Sequence, residues 1–371
     1  MKAKLSASVA AERALLVQVI LGRQSREEAA DSLAELERLA DTAGAAVVGC
    51  VTQRRPRPAP GLLVGEGKLE DIQMACREAN ANVIIFDNDL SPMQVNNLDL
   101  ALGIKVIDRT ELILQIFARR AKSAEAQVQV ELAQLEYLVS RLPVSGKQAR
   151  FKGGIGMKGP GESPLQLRNE PMRRRMRDLK KKLESIQLRR QQTRGRKQWP
   201  VVSLVGYTNA GKSTLLNAFT GADAYVDDRL FATLDTKTRL VHLLPDRVAM
   251  LSDTVGFIRK LPHGLVASFR STLEVAVFSD LLLVVSDAAH PHVRDHLRVV
   301  DETLREIKAH EVPRLLVWNK CDAPGAAEAL PPLRVDFPGS IAISARDGTG
   351  MDELRARIVE VMPRWAREDV R

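Results

Sequence analysis

The sequence predicts an α/β protein with two sheet-bearing domains and a helical hairpin between them. Three observations carry this. Short apolar runs alternate with helix-spaced patterns over residues 1–118 and again over 199–371, as in mainly parallel sheets covered by helices. Residues 119–198 carry two apolar seams with spacings of three and four, separated by a glycine- and proline-rich break. A glycine-rich turn, Gly206 to Ser213, joins an apolar run to a helical pattern.

The first region reads as strands over ALLVQVI (14–20), AAVVGCV (45–51), ANVIIFD (81–87) and IKVIDR (104–109). Helix-spaced apolar residues fill 26–43, 67–79 and 91–102 between them. The basic, proline-rich stretch TQRRPRPAPG (52–61) is expected to be an exposed, poorly ordered loop. GEGK (65–68) is too short for a phosphate loop and reads as a turn.

The hairpin follows. Val128, Leu132, Leu135, Val139 and Leu142 make one seam, and Met172, Met176, Leu179, Leu183 and Ile186 the other. FKGGIGMKGPGESP (151–164) has too much glycine and proline for either helix and is expected to be the connecting loop. The chain's charge is concentrated here. Residues 171–197 hold twelve basic side chains, among them Arg173, Arg174, Arg175, Arg177, Lys180, Lys181 and Lys182, against only Asp178 and Glu184. That excess is larger than the +9 of the whole chain, so the rest is close to neutral. A local polyanion contact is expected, and without interleaved aromatics it favours phosphate backbone or folded RNA over stacked bases.

The stretch TRGRKQWP (193–200) reads as a linker. Beyond it, strand runs fall at VVSLVG (201–206), RLVHLL (239–244), VAMLSD (248–253), LLLVVSD (281–287), RLLVWN (314–319) and IAISA (341–345). Gly206, Tyr207, Thr208, Asn209, Ala210, Gly211, Lys212 and Ser213 match G-x-x-x-x-G-K-[ST] in the strand–loop–helix setting that motif requires. Backbone N–H groups of such a loop surround phosphates. Lys212 reaches the β- and γ-phosphates, and Ser213 offers its hydroxyl to Mg²⁺.

Three further elements follow in the order of a GTPase, each at the end of a strand. Asp253, Thr254, Val255 and Gly256 form the loop that faces the γ-phosphate, with Asp253 holding the Mg²⁺ shell through water. Asn319, Lys320, Cys321 and Asp322 form a guanine-reading loop. The Asp322 carboxylate only accepts, and guanine offers it two donors where adenine presents an acceptor. Asn319 can pair near guanine N7 and O6. Ser344, Ala345 and Arg346 bring a backbone N–H towards O6. Between the first two elements, DRLFATLDTKTR (228–239) should hold a hydroxyl for Mg²⁺ and the γ-phosphate, and chemistry leaves Thr233, Thr236 and Thr238 open. Where many such enzymes place a water-orienting glutamine after Gly256, this chain has Phe257, and no arginine is assignable as an internal finger.

Over nearly its whole length the sequence resembles HflX-type GTPases, within the translation-associated GTPases. The resemblance rests on VTQRRPRPAPGLLVGEGKLEDI, VIIFDNDLSPMQVNNL and KVIDRTELILQIFARRA in the first region. It continues with VQVELAQLEYLVSRL and GGIGMKGPGES in the hairpin, and GYTNAGKST, LFATLD, DTVGFI and NKCD in the third. It selects Thr233 as the switch hydroxyl and adds Phe231, Ala232, Leu234 and Asp235 to the nucleotide-binding set. Lys212, Thr233 and Gly256 are then the catalytic group, and Ser213 and Thr233 the metal ligands. The resemblance implies binding to the large ribosomal subunit and its rRNA through the first domain and hairpin, action on stalled or idle ribosomes under stress, and hydrolysis accelerated by the ribosome. A hydrophobic residue at 257 fits that family. The run Ser163 to Glu170 departs from its pattern, and the chain ends about 25 residues after Ser344-Ala345-Arg346, where many members carry a further small domain. A GTP-gated ribosome-assembly or RNA-binding module is the alternative reading.

Three cysteines, Cys50, Cys76 and Cys321, show no disulfide or metal spacing, and His290 and His292 lack metal-ligand partners. No apolar run approaches the roughly 20 residues needed to span a bilayer. A cytoplasmic, monomeric protein, partly associated with ribosomes, is expected.

Overall fold

The computed structural model describes residues 9–22, 24–141, 164–194, 199–221, 229–231, 233–260, 275–362 and 365. The chain divides into two compact units: Met1–Arg119 with Gln127–Ser185, and Arg120–Ala126 with Ile186–Arg371.

The first unit holds a parallel four-stranded sheet of β1 (Arg13–Leu21), β2 (Ala46–Arg55), β3 (Val83–Phe86) and β4 (Lys105–Asp108), in the order β2-β1-β3-β4. Its inner residues, Leu15, Val17, Ile84 and Phe86 among them, are the apolar runs of the sequence. Helices α1 (Arg26–Ala43), α2 (Glu66–Glu78) and α3 (Pro92–Leu102) form where the sequence supplies both spacing and caps. Ser25 and Glu28 close a capping box on α1, as do Ser91 and Gln94 on α3, each satisfying two backbone donors at the helix start. Gly65 is the N-cap of α2, so GEGK opens a helix.

Two local expectations change. Thr52–Arg55 are not loop but the end of β2, paired with Gln18–Leu21 of β1. β2 is the edge strand, where alternate side chains reach water and basic residues discourage further pairing. A fourth helix, α4 (Arg109–Arg120), was not marked by spacing, because every residue from Arg109 to Phe117 is buried and no polar face exists. Arg109 is 1% exposed and is held by Asp87 at 2.9 Å and Glu35 at 2.5 Å. Ser32 and Gln18 complete the second Asp87 oxygen. A buried charge persists only when paired this fully.

The hairpin helices are α5 (Ala124–Ser140) and α6 (Pro164–Arg194). Val128, Leu132 and Leu135 pack with Leu179, Met172, Met176 and Leu183, so the two seams meet. Glu131–Arg175 at 2.7 Å and Glu136–Lys180 at 2.9 Å flank them. α6 begins before the seam and runs through Pro171. Leu142 and the loop from Phe151 to Ser163, with GGIGMKGPGES, lie outside the described residues, as do Arg196 and Lys197 of the linker. The far end of α5 is fastened within the same unit: Tyr137 donates to Asp108 at 2.8 Å, and the Arg141 guanidinium pairs with the same carboxylate.

The second unit holds a six-stranded sheet of β5 (Val201–Val205), β6 (Lys237–Leu244), β7 (Arg247–Asp253), β8 (Leu281–Asp287), β9 (Arg314–Asn319) and β10 (Ile341–Ala342). The order is β10-β9-β8-β5-β7-β6, parallel except for β6 against β7. Helices α7 (Lys212–Thr220), α8 (Val293–Glu306), α9 (Ala326–Asp336) and α10 (Met351–Val361) cover it. β10 is shorter than the expected run because the chain turns at Ser344, whose N–H bonds to Thr349 O at 2.9 Å. After β5 the chain builds β7 on one side and β8 on the other, so the crevice at the carboxyl end of β5 is the topological switch point where open α/β sheets bind ligands. Among the described residues no helix is long and apolar enough to cross a membrane, and the three cysteines are free.

Candidate nucleotide site

The turn Gly206–Gly211 joins β5 to α7 at that switch point. Gly211 has φ +87°, and a Cβ there would stand 2.2 Å from Asn319 Nδ2, so the loop passes too close to the β9 end for any side chain. Lys212 folds back over the loop and donates to Gly206 O at 3.1 Å and Tyr207 O at 2.7 Å. Burial pushes its pKa down to about 8, opposed by the nearby Asp253 carboxylate. A buried ammonium beside a glycine turn at a helix N-terminus suits a polyphosphate.

The loop after β7 lies against this turn. Phe257 O accepts from Thr208 N–H at 2.7 Å, and Phe257 N–H donates to Gly206 O at 3.0 Å. This clasp presses Gly256 on the loop: a Cβ there would fall 2.8 Å from Thr208 Cγ2 and 3.0 Å from Lys212 Nζ. The Phe257 ring is 2% exposed and sits in a core with Val205, Leu282, Val284 and Leu304. Thr254 Oγ1 is committed to Leu204 O at 2.7 Å, and Val255 is buried.

Three oxygen-bearing side chains from separate elements converge beside Lys212. Ser213 Oγ lies 2.9 Å from Thr233 Oγ1 and 2.6 Å from Asp253 Oδ2, and Thr233 Oγ1 lies 2.9 Å from the same Asp253 oxygen. Asp253 is fully buried, and its Oδ1 has no hydrogen-bond partner. Two hydroxyls, one carboxylate and an unsatisfied buried oxygen suit a hard divalent cation that completes its shell with water and phosphate. Thr238 instead bonds Ser252 Oγ at 2.9 Å across β6 and β7, which removes it from the contest among the threonines.

At the base end, Asn319 braces two loops. Its Nδ2 donates to Ala210 O at 2.9 Å, and its Oδ1 accepts from Ala345 N–H at 3.0 Å. One Nδ2 hydrogen is left for a base. Lys320 pairs with Asp287 at 2.8 Å, and Cys321 N–H bonds Ile343 O at 3.1 Å. Asp322 is exposed just beyond, beside buried Ser344 and Ala345, with Arg346 exposed.

Some residues fall elsewhere than sequence reasoning put them. Phe231 is buried and lines the cleft beside Lys212 and Thr233, whereas Leu234 is buried in the core, and Ala232 lies outside the described residues. The Asp235 carboxylate engages Lys122 and Ser123 at the start of α5. Arg229 was missed: it lines a cleft of about 50 Å³ with Thr208, Lys212, Ser213, Thr233 and Gly256, so an internal arginine does face the phosphate end. Nothing in the motif spacing marks it. Tyr207 was read as part of the phosphate loop; its ring stacks on His296 at 3.7 Å and its hydroxyl accepts from Arg259 N–H at 2.9 Å.

The chain is similar to known GTP-binding proteins. Residues 30–118 match a family described as GTP-binding GTPase N-terminal, 120–197 its middle region, and 201–320 a family described as 50S ribosome-binding GTPase. The GTPase HflX of Caldanaerobacter subterraneus is 46% identical over 92% of this chain and 79% of its own. That of Escherichia coli is 42% identical over 95% and 83%. A solved complex of SsGBP with GDP superposes with a TM-score of 0.53 at 27% identity, over 95% of this chain and 99% of that one. These matches cover more than nine-tenths of the chain, and so both units. The chain belongs to the HflX family of GTPases and hydrolyses GTP.

Proposed function

We propose that this GTPase works on ribosomes. It binds the large subunit through its N-terminal domain (1–118) and basic hairpin (119–198), remodels or splits stalled or idle particles, and hydrolyses GTP in its G domain (199–371) faster when bound. The observation that carries this reading is the surface of α6. Arg175, Arg177 and Lys180 are taken up by Glu131, Glu170 and Glu136. Arg173, Arg174, Lys181 and Lys182 are exposed and make no salt bridge among the described residues. Four exposed cations without a salt bridge on one helix suit a phosphate backbone. The relatives' family description, 50S ribosome-binding GTPase, points to the same partner.

In the site itself, Lys212 holds the β- and γ-phosphates, and Asp322 with the spare Nδ2 hydrogen of Asn319 reads guanine. Ser213 and Thr233 hold Mg²⁺, with Asp253 behind a water of its shell. When bound there, Mg²⁺ would neutralise phosphate charge. Thr233 senses the γ-phosphate, and the Gly256 N–H meets it from the opposite loop.

The test is pelleting and single-turnover hydrolysis with purified large subunits. Wild type should turn over at least about tenfold faster on subunits, since group positioning by a partner is worth that much or more. Charge reversal at Arg173, Arg174, Lys181 and Lys182 should weaken pelleting and flatten its salt dependence, with GDP affinity unchanged. Unaltered pelleting and salt slope would leave α6 a solvated face. Sedimentation separates the two roles: a splitting factor converts 70S particles to free subunits, whereas an assembly factor binds immature large subunits and leaves 70S intact.

A further inference from the structure

α5 belongs to both units. Its first turn, with the preceding Arg120–Ser123, clusters with the G domain, and Gln127 onwards with the N-terminal domain. The helix is continuous through that change and rises roughly 25 Å at 1.5 Å per residue. Its beginning is capped twice. Ser123 Oγ accepts from Ala126 N–H at 3.1 Å, an ordinary N-cap. Asp235, more than a hundred residues away in sequence, then caps the cap. Its Oδ2 accepts from the Lys122 and Ser123 N–H groups at 3.0 and 3.1 Å, and its Oδ1 accepts from Ser123 Oγ. The carboxylate also faces the positive end of the helix dipole.

Asp235 is two residues from Thr233. Between them Leu234 is 2% exposed, which pins the segment in the core. Thr233 therefore points to Ser213 and Asp253 on one side of this anchor, and Asp235 points to α5 on the other. A shift of Thr233 off the cation site moves Asp235 with it, because one short buried segment carries both.

We propose that Asp235 is a positioning residue: it caps α5 when Thr233 is docked on Ser213 and Asp253, and so links GTP sensing to the helix that enters the N-terminal unit. This rests on Thr233 as the γ-phosphate sensor, and it is independent of what the protein binds. Coupling of this kind is reciprocal: whatever favours the cap favours GTP over GDP, and the triphosphate favours the cap.

The experiment measures dissociation constants for a non-hydrolysable GTP analogue and for GDP. Asp235→Ala and Ser123→Ala should each lower the preference for the analogue by about threefold to tenfold, the range an N-cap contact carries, with GDP affinity held within about twofold. The double variant should show a preference no lower than Asp235→Ala, because the Ser123–Ala126 cap that it also loses does not involve the segment that carries Thr233. Asp235→Asn, which keeps one acceptor oxygen, should recover part of the preference. In the wild type the Lys122 and Ser123 amides should exchange more slowly with the analogue than with GDP, and Asp235→Ala should erase that difference. A cap with only a local role would lower the melting temperature and leave the ratio and the exchange difference unmoved, and that result overturns the proposal. If Asp235→Ala does not fold, Ser123→Ala reads the same ratio from outside the cleft. Thr233→Ala separates the two readings. If it lowers the preference and the cap variants do not, the coupling is wrong. If it has no effect, the sensor assignment is wrong and the coupling falls with it.

Discussion

Binding of GDP should take up a proton near pH 8, and affinity should fall as the pH rises above that. Lys212 is buried and holds only backbone carbonyls, so its pKa in the empty site is pushed down from 10.5 to about 8. A bound polyphosphate stabilises the ammonium and returns the pKa upward. Nucleotide thus selects the protonated form, whose population is full below pH 8 and falls tenfold per unit above it. At pH 9 the affinity should be about tenfold weaker than at pH 7, or about 1.4 kcal/mol. Stability of the empty protein has the opposite sign. The unfolded chain holds the Lys212 proton up to its ordinary pKa, so between pH 8 and 10.5 the unfolded state binds more protons and this group's contribution to stability rises with pH. Calorimetry in two buffers of different ionisation enthalpy reads the proton directly. Uptake should be about half a proton at pH 8 and near zero at pH 6.5. No uptake at pH 8 would mean that Lys212 is already fully charged in the empty loop, and the argument from burial would be refuted.

Two further substitutions probe the ends of the site. Asp322→Asn should move preference from guanine to xanthine nucleotides, because the amide supplies a donor where xanthine has a carbonyl acceptor. An unchanged GTP-to-XTP ratio in competition binding would remove Asp322 from the base. Arg229→Ala should lower kcat for GTP by about tenfold or more while GDP affinity stays close to wild type, as expected of a charge used at the phosphate end during transfer. An equal loss in both would make it a binding group instead.

The strands and the hairpin were legible because their signals are local. Apolar runs such as VVSLV and LLLVV have no solvent face to accommodate and fit central parallel strands, and the 128–135 seam repeats at helical spacing. α4 was illegible for the opposite reason, since burial on all sides erases period. The site was legible as far as its motifs reach. The strand–loop–helix context placed Lys212 and Ser213, but chemistry alone could not choose among three threonines, and in the structure it is Thr233 that meets Ser213 and Asp253. Contacts across large sequence distance carry no pattern. Asn319 reads in sequence as a base contact, yet most of its side-chain hydrogen bonding braces Ala210 and Ala345. Asp235 reads as one more switch residue, and its partners lie at the start of another helix.

Phe257 shows what this fold does with the position after Gly256. A glutamine there would bury an amide in the core of Val205, Leu282 and Val284, where an unsatisfied polar group costs about 1–3 kcal/mol. To reach a water it would have to leave that core and strain the backbone clasp with Gly206 and Thr208. The phenylalanine keeps the clasp closed, and the clasp holds Gly256 within van der Waals reach of Lys212. Position 257 thus secures the geometry of the phosphate site, and orientation of the water falls to groups outside the clasp. The segment 229–235 is the one that carries such groups to the cleft, with Arg229 on its wall, Thr233 at the cation site and Asp235 fastened to α5. Its core anchors are Leu230, Phe231 and Leu234, and Asp235 adds a surface cap on α5. Under the proposed coupling, a partner that acts on α5 would change how 229–235 is held without touching the nucleotide.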